Sequence, residues 1–272
     1  MNKIRRAGVL SRTLTALLAL AMAFIGPAIA AGDPVMPDKA RNVSLPVGER
    51  LVFKLKWWFV EAGEATLEIL PDTVVNGQPA RHFVLTARTN DFVDNFYKVR
   101  DRIDAYTDLA LTRTLHYTKN QHEGDHHRDV VVHLDWEEKR ARYVQNGVEE
   151  TSTRIVEGAF DPLSIFYAFR KLDLAPGREL NAYVTDGKKC VLGKASLKQR
   201  EKVAVPAGEF DTWLVEPEMR HIGGVFKQKE GSKLQLWVTS DDARRVVKIR
   251  SAVAVGHFTA ELERIERVTA KK

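Results

Sequence analysis

The sequence predicts an all-β, mainly antiparallel fold, a barrel- or roll-like curved sheet that carries one short α-helix. Three observations predict it. Apolar residues recur at every second position through most of the chain, and turn pairs such as Asn76-Gly77, Asn146-Gly147 and Asp186-Gly187 interrupt them at strand-length intervals. Helical three- and four-residue spacing marks one segment, Asp161 to Leu172. No βαβ alternation and no repeat period is visible.

The first thirty residues stand apart. Lys3, Arg5, Arg6 and Arg12 are basic, Leu14 to Ile25 is an apolar run, and Ala28-Ile29-Ala30 sets small residues at cleavage-site spacing. Residues 1–30 are therefore expected to be a secretory signal peptide, and the mature chain a soluble periplasmic protein. The apolar run falls short of the roughly 20 residues that a membrane span needs. No second run follows, so no transmembrane segment is expected. Residues 31–44, with Pro34 and Pro37, read as a disordered lead-in, and residues 45–268 as a single β-rich domain. Removing the leader lowers the formal net charge from +6 to about +2, which leaves no general attraction for nucleic acid. Cys190 is the only cysteine, so packing must hold the fold without an intrachain disulfide or a lipid anchor near the cleavage site.

The first strand is the clearest. Leu51, Phe53, Leu55, Trp57 and Phe59 alternate with Lys54 and Lys56, and Glu61-Ala62-Gly63 supplies a break before Ala65, Leu67 and Ile69 return. Further strands are expected over Ala80 to Arg88, Arg100 to Thr107, Thr112 to Lys119, Asp129 to Glu137 and Lys139 to Gln145. Asp161-Pro162 then opens the helix, with a capping residue followed by proline at the first helical position, and Pro176-Gly177 ends it. Strands resume over Glu179 to Thr185, Lys188 to Gly193, Ser196 to Val205, Glu209 to Glu216, Lys233 to Thr239, Arg245 to Ser251 and His257 to Ile265.

Several blocks recur together in this order. Glu49-Arg-Leu-Val-Phe53, Ala62-Gly-Glu-Ala-Thr-Leu-Glu68, Asp161-Pro-Leu-Ser-Ile-Phe-Tyr-Ala-Phe-Arg170, Val205-Pro-Ala-Gly-Glu-Phe210 and Leu236-Trp-Val-Thr-Ser-Asp-Asp242 with Arg245 make the chain resemble the exported bacterial family known as domain of unknown function 3108. The resemblance implies a mainly β periplasmic protein. It carries no activity and no catalytic residues.

His122-Glu-Gly-Asp-His126 matches H-E-x-x-H, in which two histidines one helical turn apart bind zinc and the glutamate acts as base. Gly124, Asp125 and the alternating flanks argue for an exposed hairpin tip over Asn120 to His127 instead, where His122, His126 and His127 are candidates for adventitious metal binding. Asp241, Asp242, Arg244 and Arg245 read as turn chemistry. Ser164 has no G-x-S-x-G context, Cys190 has no neighbouring motif, and no phosphate loop or dinucleotide fingerprint is present, so no cofactor is expected.

Trp58 follows Trp57 on the opposite face of the first strand, so either the helix covers it or it lines an apolar groove. These features favour a non-catalytic protein that binds an apolar or amphipathic envelope molecule, lipid or glycan, or contributes to envelope homeostasis. Trp58, Phe166, Tyr167 and Phe169 are the candidate ligand-binding residues. The alternatives are an envelope protein-interaction scaffold, and a zinc-dependent hydrolase built on His122, Glu123 and His126.

Overall fold

The computed structural model describes residues 43, 45–172, 174–218, 234–252 and 257–268. Fourteen strands run among them: β1 (Glu49–Trp57), β2 (Val60–Val75), β3 (Gln78–Thr89), β4 (Arg100–Asp108), β5 (Thr114–Glu123), β6 (His126–Asp135), β7 (Arg140–Gln145), β8 (Val148–Arg154), β9 (Glu179–Thr185), β10 (Cys190–Val205), β11 (Gly208–Pro217), β12 (Leu234–Thr239), β13 (Val246–Ala252) and β14 (His257–Arg267). Two short helices, α1 (Asp91–Asp94) and α2 (Ser164–Ala168), join them, and α2 runs on into a 3-10 turn over Phe169–Lys171. Among the described residues no helix is long and apolar enough to cross a membrane.

All fourteen strands belong to one antiparallel sheet with the order β8-β7-β6-β5-β4-β3-β2-β1-β14-β13-β12-β11-β10-β9. The first and last strands pair in its middle, from Glu49↔Arg267 to Trp57↔Phe258. The two edges, β8 and β9, are neighbours in the chain, and the sheet is not closed between them. The connection from β8 to β9 runs along the β9 edge instead. Phe160 N donates to Tyr183 O (2.9 Å) and Thr185 N donates to Phe160 O (2.8 Å), which covers backbone groups that an edge would leave open.

Strand alternation sends one set of side chains to a shared core. Leu51, Phe53, Phe83, Ile103, Tyr117, Val132, Tyr143 and Leu262 are buried there. A second cluster, with Leu180, Leu197, Trp213, Val215, Leu236 and Val238, gathers on β9 to β13. The α2 segment lies between the two. Leu163 and Tyr167 join the first cluster, while Phe166, Phe169 and Leu172 pack on the second. Each apolar side chain of this size stabilises the fold by about 1.5–3 kcal/mol when fully buried, so the segment is a wedge that both halves of the sheet grip.

The strands differ from the sequence reading in four places. The first break falls at Trp58-Phe59, not at Glu61 to Gly63, because Trp58 adopts a left-handed backbone (φ 57) and the ladder resumes at Val60. Gly63 sits inside β2, between Leu55 and Thr89, where an added Cβ would meet Arg88 O at 2.0 Å. The strands expected over Lys188 to Gly193 and Ser196 to Val205 are one long strand, β10, that pairs with β9 first and β11 later. β8 was hidden because Glu149, Glu150, Thr151, Ser152 and Thr153 leave this edge strand no apolar face to alternate. The helix is also shorter than expected, beginning at Ser164 after a turn through Pro162 and Leu163.

Candidate functional site

Asp161 positions the helical wedge. Its Oδ1 accepts from Leu163 N (2.8 Å) and Ser164 N (2.9 Å), its Oδ2 accepts from the Thr114 hydroxyl (2.6 Å), and its own N–H donates back to Thr114 Oγ1 (2.8 Å). Burial pushes this carboxyl up, and the hydrogen bonds oppose the push by favouring the ionised form. The other end is fastened by charge. Arg170 Nη1 meets Glu49 Oε1 at 2.6 Å, with both side chains buried, and Arg245 Nε meets Glu49 Oε2 at 2.6 Å. Arg245, read from sequence as a turn residue, thus joins the β12–β13 turn to the start of β1.

One side of the segment belongs wholly to the core. Tyr167 stacks on Phe83 with ring centroids 4.0 Å apart, and its hydroxyl donates to Glu68 O at 3.3 Å. Burial raises that hydroxyl far above the ordinary tyrosine range. The other side, with Ile165, Phe166, Phe169 and Leu172, faces an apolar cleft of about 140 Å³. Leu180, Ala182 and Val184 of β9, Gly193 and Ala195 of β10, and apolar residues of β11 to β13 form the opposite wall. The void has a local cause. Ala182 lies directly across the ladder from Gly193, and Leu180 from Ala195, so the sheet offers little side-chain volume opposite the phenylalanines.

Asn181 and Lys194 also border the cleft and pair with each other across the ladder. Strand alternation turns their side chains to the face opposite Ala182 and Gly193. Among the described residues the wall facing the phenylalanines is therefore apolar, and the arrangement suits a buried apolar body. Cys190, half-buried nearby in sequence, has its thiol pushed up by burial, which works against a reactive thiolate.

The candidate ligand residues thus part company. Phe166 and Phe169 line the cleft, and Tyr167 turns into the core. Trp58 lies at the far end of β1 from Glu49, roughly 30 Å along a nine-residue strand, and neither lines the cleft nor is covered by the helix. Composition could not reveal Ala182, Gly193 and Ala195, because small residues in a strand mark a void only once the opposite wall is known.

The histidine stretch folds as strand, turn and strand. His122 and His127 are cross-strand partners with ring centroids 4.7 Å apart, and Gly124-Asp125 makes the turn. Glu123 points to the other face, where Gln121 Nε2 donates to its Oε1 at 3.0 Å beside buried Asp101. The H-E-x-x-H pattern is thereby divided between two faces of the sheet, unlike the helical arrangement its chemistry needs. Among the described residues no group of three or more His, Cys, Asp or Glu is placed to hold a metal ion.

With this geometry in view, the fold has relatives. The chain is similar to a β-barrel-like protein of domain of unknown function DUF1849 from Brucella abortus, with a TM-score of 0.54 and 9% identity over 84% of this chain and 100% of that one. It is also similar to a protein from Bacteroides fragilis assigned as exported with a YmcC-like fold (TM-score 0.34, 10% identity, 82% and 97% covered) and to a protein from Parabacteroides distasonis assigned as a lipoprotein (TM-score 0.29, 10% identity, 85% and 100% covered). No curated protein matches the chain. The family model for the protein of unknown function DUF3108 matches residues 52–263, and the chain belongs to that family.

Proposed function

We propose that the protein is a non-catalytic binder of an apolar or amphipathic envelope molecule and that the cleft beside α2 receives its apolar end. The cleft is the observation that carries this reading: about 140 Å³ bounded by Phe166, Phe169 and a sheet floor of alanine and glycine. A void of this size holds a benzene-sized apolar body, as a cavity of similar volume does in an unrelated protein. The end of an acyl chain meets that description, with the rest of the molecule outside. A periplasmic address, expected from the leader, would place the protein where such molecules pass.

Ala182→Phe tests the reading by filling the floor. Native mass spectrometry of protein loaded with excess palmitate is expected to show one adduct on the wild type and none on Ala182→Phe. No adduct on the wild type, or an equal adduct on both, overturns the assignment.

A further inference from the structure

At the end of β1 remote from Glu49, two neighbouring connections carry large apolar side chains into solvent. Trp58, Phe59 and Val60 form the β1–β2 tip, with Phe59 89% exposed, and Phe92 and Phe96, each 63% exposed, meet edge-to-face at 5.6 Å in the β3–β4 connection. The two connections are held as one surface. Asn90 N donates to Ala62 O (3.0 Å) and Asn90 Nδ2 donates to Glu61 O (2.8 Å), while Trp58 N donates to His257 O (3.0 Å) and so ties the tip to the start of β14.

Trp58 occupies the first central position of a two-residue hairpin turn with φ 57, where glycine is favoured and a bulky residue is strained. Strained backbone positions cluster at sites of use, and here the strained residue is an exposed tryptophan. The charges beside the tip largely cancel. Lys54 pairs with Glu61 and Glu263 at 3.2 Å, Lys56 with Glu261 at 2.7 Å, Arg88 with Glu64 at 3.2 Å and Arg100 with Asp94 at 2.5 Å. A collar of paired charges gives neither an anionic nor a cationic partner an advantage.

We infer that this end docks on the surface of a zwitterionic lipid bilayer, with Trp58, Phe59 and Phe92 entering at the headgroup level. Tryptophan and phenylalanine favour that boundary, where an apolar ring is desolvated while polar groups stay wet. A convex tip also fits lipid better than protein. A protein partner must supply a pocket and a rim to exclude water from Phe59, whereas a fluid bilayer closes around it. This docking is independent of the cleft.

Co-sedimentation with phosphatidylcholine vesicles at low and high salt tests it, using the full chain and two variants. Wild type is expected to sediment equally at both salt concentrations. Phe59→Ser lowers the partition coefficient about tenfold. Trp58→Gly lowers it too while raising the thermal midpoint, since glycine relieves the turn, so a loss of binding there cannot be a loss of fold. Four results overturn the inference: no binding by the wild type, undiminished binding by both variants, binding confined to phosphatidylglycerol vesicles and abolished by salt, or vesicle-independent self-association that the variants abolish.

Discussion

At the scale of single residues, the interior of the sheet holds a carboxyl that should make stability depend on pH. Asp101 is 3% exposed, and its side chain accepts from His122 N at 2.9 Å and lies near Gln121, which also bonds Glu123. Burial, reinforced by the charge of Glu123, pushes its carboxyl up to about 7. Between about pH 4 and 7 the folded chain therefore keeps a proton that the unfolded chain has released. That stability is complete below the unfolded value and is lost as the pH rises through 7. Asp101→Asn is expected to shrink the loss between pH 5 and 8 by on the order of 2 kcal/mol in denaturant melts, and an unchanged pH profile would contradict the assignment. The outer face behaves in the opposite sense. His82, Tyr106, His116 and His133 form a cross-strand row of rings, with His82 bonded to Asp104 and Arg142 following His133. Burial and neighbouring positive charge push His116 and His133 down, so the unfolded chain takes up protons first and stability falls as pH drops below about 6.5. Replacing both by glutamine should flatten that acid limb, as read by thermal melts from pH 7.5 to 5. None of these rows was legible in the sequence, since their members are far apart until register joins them.

At the scale of elements, α2 depends more on its fastenings than on helical propensity, because a helix of five residues is too short to stand alone. Glu49→Ala removes the carboxylate that Arg170 and Arg245 share and leaves a buried guanidinium without that partner, an expected loss of about 3–5 kcal/mol in denaturant melts. A loss below about 1 kcal/mol would show that the pair is not what anchors the wedge. Gly63→Ala is expected to cost about 2 kcal/mol, because its Cβ collides with backbone that cannot move independently of the β2–β3 ladder. The same elements show what periodicity could and could not disclose. Asp161 to Leu172 was readable as helical because capping and spacing agree, and β1 because Leu51, Phe53 and Leu55 face one core. The site of the first turn was not readable, because alternation continues through Phe59 and nothing in Trp58 announces a left-handed backbone. β8 was not readable for the opposite reason, a polar edge that has no face to bury.

At the scale of the whole molecule, a long antiparallel meander is divided so that its terminal strands meet in the middle and the connection between its two edge strands carries the helical wedge. Val268 N donates to Gly48 O at 2.8 Å, which secures that central seam where β1 and β14 begin and end. The wedge bridges the sheet's two clusters, and the small residues of β9 and β10 leave a gap unfilled opposite Phe166 and Phe169. The all-β class and the α2 segment were visible in the sequence, because both follow from local periodicity, whereas the four-residue α1 is too short to show one. The cleft was not, since it depends on a wall of β9 to β13 that only the sheet order brings opposite Phe166 and Phe169. The most direct test of the cleft as a binding site is a fluorescence titration of cis-parinaric acid into wild type and Ala182→Phe. Saturable one-to-one binding by the wild type, weakened about tenfold or more in the variant at an unchanged thermal midpoint, is the predicted result. Equal affinity in both proteins, or no saturable binding by the wild type, would contradict it.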